Sequence, residues 1–320
     1  MASEKALRRR KVLATIFIPY RFSSEGSKPI YQQPKKGEMM KYEPEAWKKA
    51  YQENGFIVVP DLLDPTTLSR ARDELTRIIE NLERLPPSLI DKVFFERDHV
   101  KNNPQWYAGA LNPAECGRAV RQIGDLALFD ASFAELIRYQ PMLDVLETIF
   151  ESSEFSFNYL IGRPKAARVG NGISNGHFHR DTPFEEFTSA NTVVVIMCLN
   201  DMIAENGATE FIKGSHQVSD EEAKKACWRD VETDKLNLKD KVTICCSAGA
   251  GVFFSTKTLH AAGHNRSDYP RHAIFAEWVG PGVLPTSPVR HVYQGLRPRS
   301  KDEAYQMQVK MSFAAPGASH

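Results

Sequence analysis

Two hydrophobic periodicities divide this chain near residue 150. Before that point apolar residues recur at three- and four-residue steps, the spacing of one helix face; from about residue 155 they form short runs separated by turn formers, the habit of strands. Glu43 to Asn54 reads as a short helix and Phe56 to Pro60 as a strand. A second helix is punctuated clearly. Asp64 is its N-cap, Pro65 suits the first helical position, and Leu68, Ala71, Leu75, Ile78 and Leu82 form its apolar stripe until Pro86-Pro87 stops it. Residues 88–115 read as an irregular stretch bearing Phe94, Phe95, Trp106 and Tyr107, and Arg118 to Phe150 as a return to helical pattern. Strands are expected at Phe155–Ile161, Val193–Leu199, Thr209–Ile212, Val242–Cys246, Gly251–Ser255 and His272–Val279. The run from Val193 to Leu199 is apolar on both faces, which predicts a central strand covered on both sides.

Helices first and short strands afterwards predict a mainly β fold, two sheets with a helical buttress. Residues 1–40 show no periodicity and read as an irregular arm; 41–290 read as one domain, helical over 41–150 and sheet-forming over 151–290; 291–320 read as a C-terminal extension.

Composition narrows the partners. A net charge of +1 gives no electrostatic footprint for nucleic acid, and the one basic cluster, Arg8 to Lys11, lies at the start of the chain. No apolar run approaches the roughly eighteen residues of a membrane span. Five cysteines without a CxxC pair suggest reduced thiols used as small core residues, so the expected compartment is the cytoplasm. The expected partner is a small molecule, neither nucleic acid nor membrane, with a homodimer left open.

Chemistry concentrates at Gly176-His177-Phe178-His179-Arg180-Asp181. Alternate side chains of a strand share a face, so His179 and Asp181 point the same way, with His177 beside them. Two imidazoles and one carboxylate on one side of a metal leave three positions open, and the third ligand must come from elsewhere. HxD alone is a weak signal in a chain with nine histidines. The second half comes from His260, which follows the apolar run Gly251 to Ser255, and from Arg271, eleven residues later across a turn rich in Gly263, Asn265, Asp268 and Pro270. A hairpin-like connection is expected to set the two on adjacent strands. A guanidinium forks onto a carboxylate through two parallel hydrogen bonds, which suits Arg271 to the far end of a dicarboxylic co-substrate. His264 is the rival ligand, but His260 continues the strand.

The stretch from Glu43 to about Pro281 resembles the phytanoyl-CoA dioxygenase family of iron(II)/2-oxoglutarate oxygenases. The resemblance is carried by NGFIVVPDLLDPTTL (Asn54 to Leu68), HFHRDTPF (His177 to Phe184), NGATEFIKGSH (Asn206 to His216) and HAAGHNRSDYPR (His260 to Arg271). It implies a double-stranded β-helix of the jelly-roll, cupin-like kind. It also implies iron(II) held by His179, Asp181 and His260, with 2-oxoglutarate held by Arg271, Thr209 and His177 and O2 as second co-substrate. The implied reaction is oxidation of an unactivated C–H bond in a small, largely apolar metabolite, in specialised metabolism, by hydroxylation or by desaturation or ring formation. Lys213 departs from the proline usual before Gly-Ser-His, which alters a turn. His216 reads as a structural turn residue, and Asn158, Tyr159 and Arg168 as candidate pocket positions. Residues 88–115 and 218–240, with Trp106 and Trp228, are the expected lids. The rivals are an iron oxidase or isomerase that does not consume 2-oxoglutarate, and a non-catalytic jelly-roll binding protein.

Overall fold

The protein is described by a computed structural model covering residues 43–102, 113–168, 177–181, 186–225, 231–232 and 237–306. The helix α1 (Pro44–Asn54) ends where Gly55 takes a left-handed φ of 84° and returns its N–H to the Tyr51 carbonyl at 2.8 Å. Strand β1 (Phe56–Val59) follows, and then α2 (Pro65–Glu80), whose N-cap Asp64 accepts from the Thr66 and Thr67 amides. Ala71, Leu75 and Ile78 are its buried stripe, as the spacing predicts. The prolines behave differently from expectation. The helix has already ended at Glu80, and Pro86-Pro87 opens the short α3 (Pro87–Ile90), because proline at a first helical turn costs no hydrogen bond.

Two further expectations need correction. Residues 88–115 are not wholly irregular, since they hold β2 (Val93–Phe95) and α4 (Glu96–Asn102). Arg118 to Phe150 is not helical throughout. It begins with β3 (Val120–Ile123), paired antiparallel to β2, and only then gives α5 (Ala131–Leu136) and α6 (Gln140–Phe150). A segment of three or four residues carries too few periods to distinguish strand from helix, and here sheet pairing decides.

The remaining elements are β4 (Ser156–Gly162), β5 (His177–Phe178), β6 (Thr192–Cys198), β7 (Thr209–Ile212), α7 (Asp220–Lys225), β8 (Val231–Glu232), β9 (Lys241–Thr243), β10 (Gly251–Ser255), β11 (His260–Ala262) and β12 (Ala273–Val279). One sheet has the order β1-β10-β6-β12-β4-β3-β2; a smaller one is β11-β7-β9, and β5 pairs with β8. A backbone bridge between His179 and His260 ties β5 to β11.

Alternation along β6 explains the layers. Val193, Val195 and Met197 face a core shared with Leu75, Ile78, Phe133 and Leu143 of the helices. Val194, Ile196 and Cys198 face a second core shared with Phe211 of β7 and Val242 of β9. The strand is buried at every position because both its faces are covered. Between the sheets, Phe211 stacks on Phe56 at 4.6 Å and packs against Phe254 at 5.1 Å. Two facing antiparallel sheets with helices on the outer face of the larger make a double-stranded β-helix with a helical buttress. Residues 291–306 pack back onto this body; Phe157 and Gly295–Leu296 exchange backbone hydrogen bonds of 2.8 Å. Among the described residues no helix is long and apolar enough to cross a membrane.

Gly55 is a position where only glycine fits, since an added Cβ would stand 2.5 Å from both His216 Nδ1 and Thr258 Oγ1. Gly282 also has a positive φ, but nothing lies within 4 Å of its added Cβ. Gly282→Ala should therefore cost about 1 kcal/mol, the left-handed penalty alone, and Gly55→Ala at least about twice that. Urea midpoints compared side by side check this; equal midpoints would mean that the Gly55 surroundings relax freely.

Candidate metal centre

His179 continues β5 by one residue and exchanges two backbone hydrogen bonds with His260 at the start of β11, 3.0 Å and 2.9 Å long. This pairing sets the two rings side by side, with centroids 4.2 Å apart. Asp181, two residues on from His179, reaches back between them: its Oδ1 lies 3.5 Å from His179 Nε2 and its Oδ2 3.5 Å from His260 Nε2. One donor atom from each residue lies within 4.8 Å of the others. His264, the rival ligand, is not in this group.

The electrostatics suit a divalent cation. Burial pushes the Asp181 carboxyl up, but the attraction of His260, the hydrogen bond from His179 and the charge of Arg163 outweigh it and hold the group well below the usual carboxylate range. Burial lowers His260 to about 4, against the opposing pull of Asp181. Asp181 and His260 therefore stand as a carboxylate and a neutral imidazole, the forms that coordinate metal. His260 Nδ1 donates to the Thr258 carbonyl at 2.9 Å, leaving the Nε2 lone pair for the ion. Thr258 is itself fixed, since its hydroxyl donates to the Gly55 carbonyl at 2.9 Å and its amide to Ser255 at 2.8 Å.

The trio opens into a cavity of about 260 Å³ between the sheets. Arg271 enters it from the larger sheet, which corrects the expected hairpin. The chain turns after Ser255 and changes sheet, so His260 belongs to β11, not to a continuation of β10. Arg271 precedes β12 and exchanges backbone hydrogen bonds of 2.7 Å and 2.8 Å with Lys165 instead. The two residues therefore face one cavity from opposite sheets.

Arg271 is 3% exposed; its Nη1 donates to the Met202 sulfur at 3.3 Å, and its Nε is buried without a partner. Burial lowers its pKa from the ordinary guanidinium value. A desolvated cation whose side-chain hydrogen bond among the described residues goes to a thioether is an incomplete ion pair, and a carboxylate would complete it. Thr209 lines the same cavity, its hydroxyl 3.9 Å from Met202 Sδ. The residues present fit a divalent metal ion together with a chelating dicarboxylate.

Other expected positions separate. His177 lies on β5, but its side chain is outside the described residues, as are Trp106, Tyr107 and Trp228. Tyr159 lines the cavity. Asn158 sits at a β-bulge of β4 against Glu277–Trp278 and accepts from Gln294, while Arg168 is exposed and paired with Asp268. Phe94 is exposed and Phe95 packs on the helical layer, so neither walls the site. His216 is a turn residue whose Nε2 meets the Gln52 carbonyl at 3.0 Å.

Sequence reasoning missed Arg121, Gln122, Arg163 and Lys165, all of which line the cavity. A signal existed: Tyr159, Ile161, Arg163 and Lys165 alternate along one line of chain. Glu277 was missed too. It stands opposite Tyr159 in the sheet, is buried, and is pushed up to about 8 by burial and by the charge of Asp181.

A family model described as phytanoyl-CoA dioxygenase (PhyH) matches residues 51–273. Dioxygenase aneA of Aspergillus aculeatus is 26% identical over 176 residues, 52% of this chain and 53% of its own. Dioxygenase olcK of Penicillium canescens is 24% identical over 209 residues, 62% of this chain and 64% of its own. The chain thus spans between about half and two thirds of the length of these relatives. Among solved structures, the epimerase SnoN in complex with Fe3+, alpha ketoglutarate and nogalamycin RO superposes with a TM-score of 0.56, at 19% identity, over 81% of this chain and 96% of that one. What is shared at that identity is the fold. The family match takes in most of the chain, from within α1 to the start of β12, with the clustered His179, Asp181 and His260 and with Arg271 inside it, and the chain belongs to the phytanoyl-CoA dioxygenase family.

Proposed function

We propose that this protein is an iron(II)- and 2-oxoglutarate-dependent oxygenase that oxidises an unactivated C–H bond of a small metabolite. The observation that carries the reading is the placement of Arg271, buried and lacking a carboxylate partner among the described residues, across one cavity from the His179–Asp181–His260 cluster. His179, Asp181 and His260 are the metal ligands in this reading, and Arg271 takes the far carboxylate of 2-oxoglutarate with Thr209 beside it. His177, two residues before the first ligand, is assigned to the co-substrate as well. Bound iron(II) with 2-oxoglutarate supplies O2 activation, with loss of CO2 and formation of succinate.

The chain's own contribution is arrangement. The Thr258 carbonyl orients His260, the β5–β11 bridge fixes the angle between the imidazoles, and Ile161, Ile196, Phe254 and Phe275 give the cavity apolar walls that exclude water. Arg271 argues against an iron enzyme that ignores 2-oxoglutarate, and the clustered ligands argue against a binding protein without catalysis. A role in specialised metabolism is supported by the fungal dioxygenases among the relatives and by a neighbour described as an epimerase from nogalamycin biosynthesis. A cytoplasmic location is supported by buried thiols left unjoined, Cys198 and Cys246 with sulfurs 3.6 Å apart. Residues 41–290 are taken as the oxygenase domain.

Anaerobic titration of the protein with iron(II) and then 2-oxoglutarate should raise the weak visible charge-transfer band of the chelate. No band, with iron bound, would remove 2-oxoglutarate from the reading. His179→Ala, Asp181→Ala and His260→Ala should each lose stoichiometric iron and turnover, while His264→Ala keeps both; the reverse result for the two histidines would reassign the third ligand.

Arg271→Ala should leave iron binding intact and weaken 2-oxoglutarate by tens-fold or more, since breaking a buried, charge-assisted pair costs about 2–5 kcal/mol. The midpoint of the same titration measures this. An unchanged midpoint would place the co-substrate carboxylate elsewhere.

A further inference from the structure

Four cationic side chains line the cavity: Arg121, Arg163, Lys165 and Arg271. Three of them have their bonding accounted for. Arg121 is buried against the Glu96 carboxylate at 3.2 Å. Lys165 donates to the Gly207 carbonyl at 2.8 Å and to the Gly263 carbonyl, and burial beside Arg271 pushes its pKa well down. Arg271 belongs to the co-substrate in the reading above.

Arg163 is left over. It follows the end of β4 in alternation with Tyr159 and Ile161, and all three line the cavity. Its Nη1 donates to the Gln122 amide oxygen at 2.8 Å, and its guanidinium lies 5.7 Å over the Phe275 ring. Among the described residues it has no ion pair with a carboxylate. Glu277 is no substitute, because its carboxyl, raised to about 8 by burial, stays protonated at neutral pH and is turned to Tyr159 and Asn158. Arg163 lines the same cavity as His179, Asp181 and His260. A half-buried guanidinium bonded to a neutral amide keeps donors free for an anion, and its fork matches a carboxylate.

We propose that Arg163, backed by Gln122, is the recognition group for the primary substrate, and that this substrate is a largely apolar acid bound through its carboxylate. The apolar walls Ile161, Phe254 and Phe275 take the carbon skeleton and hold it towards the metal cluster. This inference rests on the oxygenase reading and refines the substrate class, from an apolar metabolite to an apolar anion.

The test uses the full chain loaded anaerobically with iron(II) and 2-oxoglutarate, with binding followed by calorimetry. The probes are benzoate, 4-phenylbutanoate and decanoate, each beside its neutral amide. At least one acid should bind tenfold or more tightly than its amide. Arg163→Gln should erase that preference while leaving the midpoint of the 2-oxoglutarate titration unchanged, and Arg163→Lys should retain part of it. Equal binding of acids and amides, no binding of any acid, or a preference that survives Arg163→Gln overturns the proposal. A weakened 2-oxoglutarate midpoint in Arg163→Gln also overturns it, by giving the arginine to the co-substrate. Absence of the chelate band from the wild type would instead count against the oxygenase reading, so the two failures are distinguishable.

Discussion

The two hydrogen bonds between the backbones of His179 and His260 are the constraint on which the site depends. They join the short strand that carries HxD to the edge of the smaller sheet, so residues eighty positions apart in sequence become neighbours with rings 4.2 Å apart. Everything on either side supports that bridge. Thr258 ties the turn before His260 to Gly55, which ends the first helix, and His216 closes over the same glycine. A position far from the cavity is thereby coupled to the orientation of a metal ligand. The coupling runs through one hydroxyl and one carbonyl of the same threonine.

Where the candidate metal ligands come from β11 of the smaller sheet and from the chain at and just after β5, the larger sheet contributes charge. Its inner face carries Arg163, and Lys165 and Arg271 flank it, while Arg121 stands on β3. Buried cations of this number are costly unless each has a partner. Glu96 serves one, two backbone carbonyls serve another, and Met202 gives Arg271 only a sulfur. Under the proposed reading, an incoming co-substrate would supply the anion that Arg271 lacks among the described residues. This is an electrostatic way of making ligand binding, rather than folding, complete the site.

Much of this was legible beforehand. The N-cap at Asp64, the stripe Ala71–Leu75–Ile78 and the doubly buried β6 follow from spacing alone, since each is a local pattern with a single physical solution. The grouping of His179 with Asp181 follows from the two-residue period of extended chain. Val120–Ile123 departs from the helical expectation because four residues, apolar only at their two ends, hold too few repeats to set a period, and only pairing with β2 makes them a strand.

Sequence by itself determined the candidate ligand types, the HxD spacing and the presence of a helical layer before a sheet layer, because these depend on residues close together along the chain. The tertiary structure alone decided that His260 and Arg271 occupy opposite sheets, since the change of sheet after Ser255 is made by a turn that periodicity does not register. It also decided that Arg121, Arg163 and Lys165 share the cavity. Their charges look like ordinary surface polarity in sequence, and only the sandwiching of two sheets turns that face inward and removes its water.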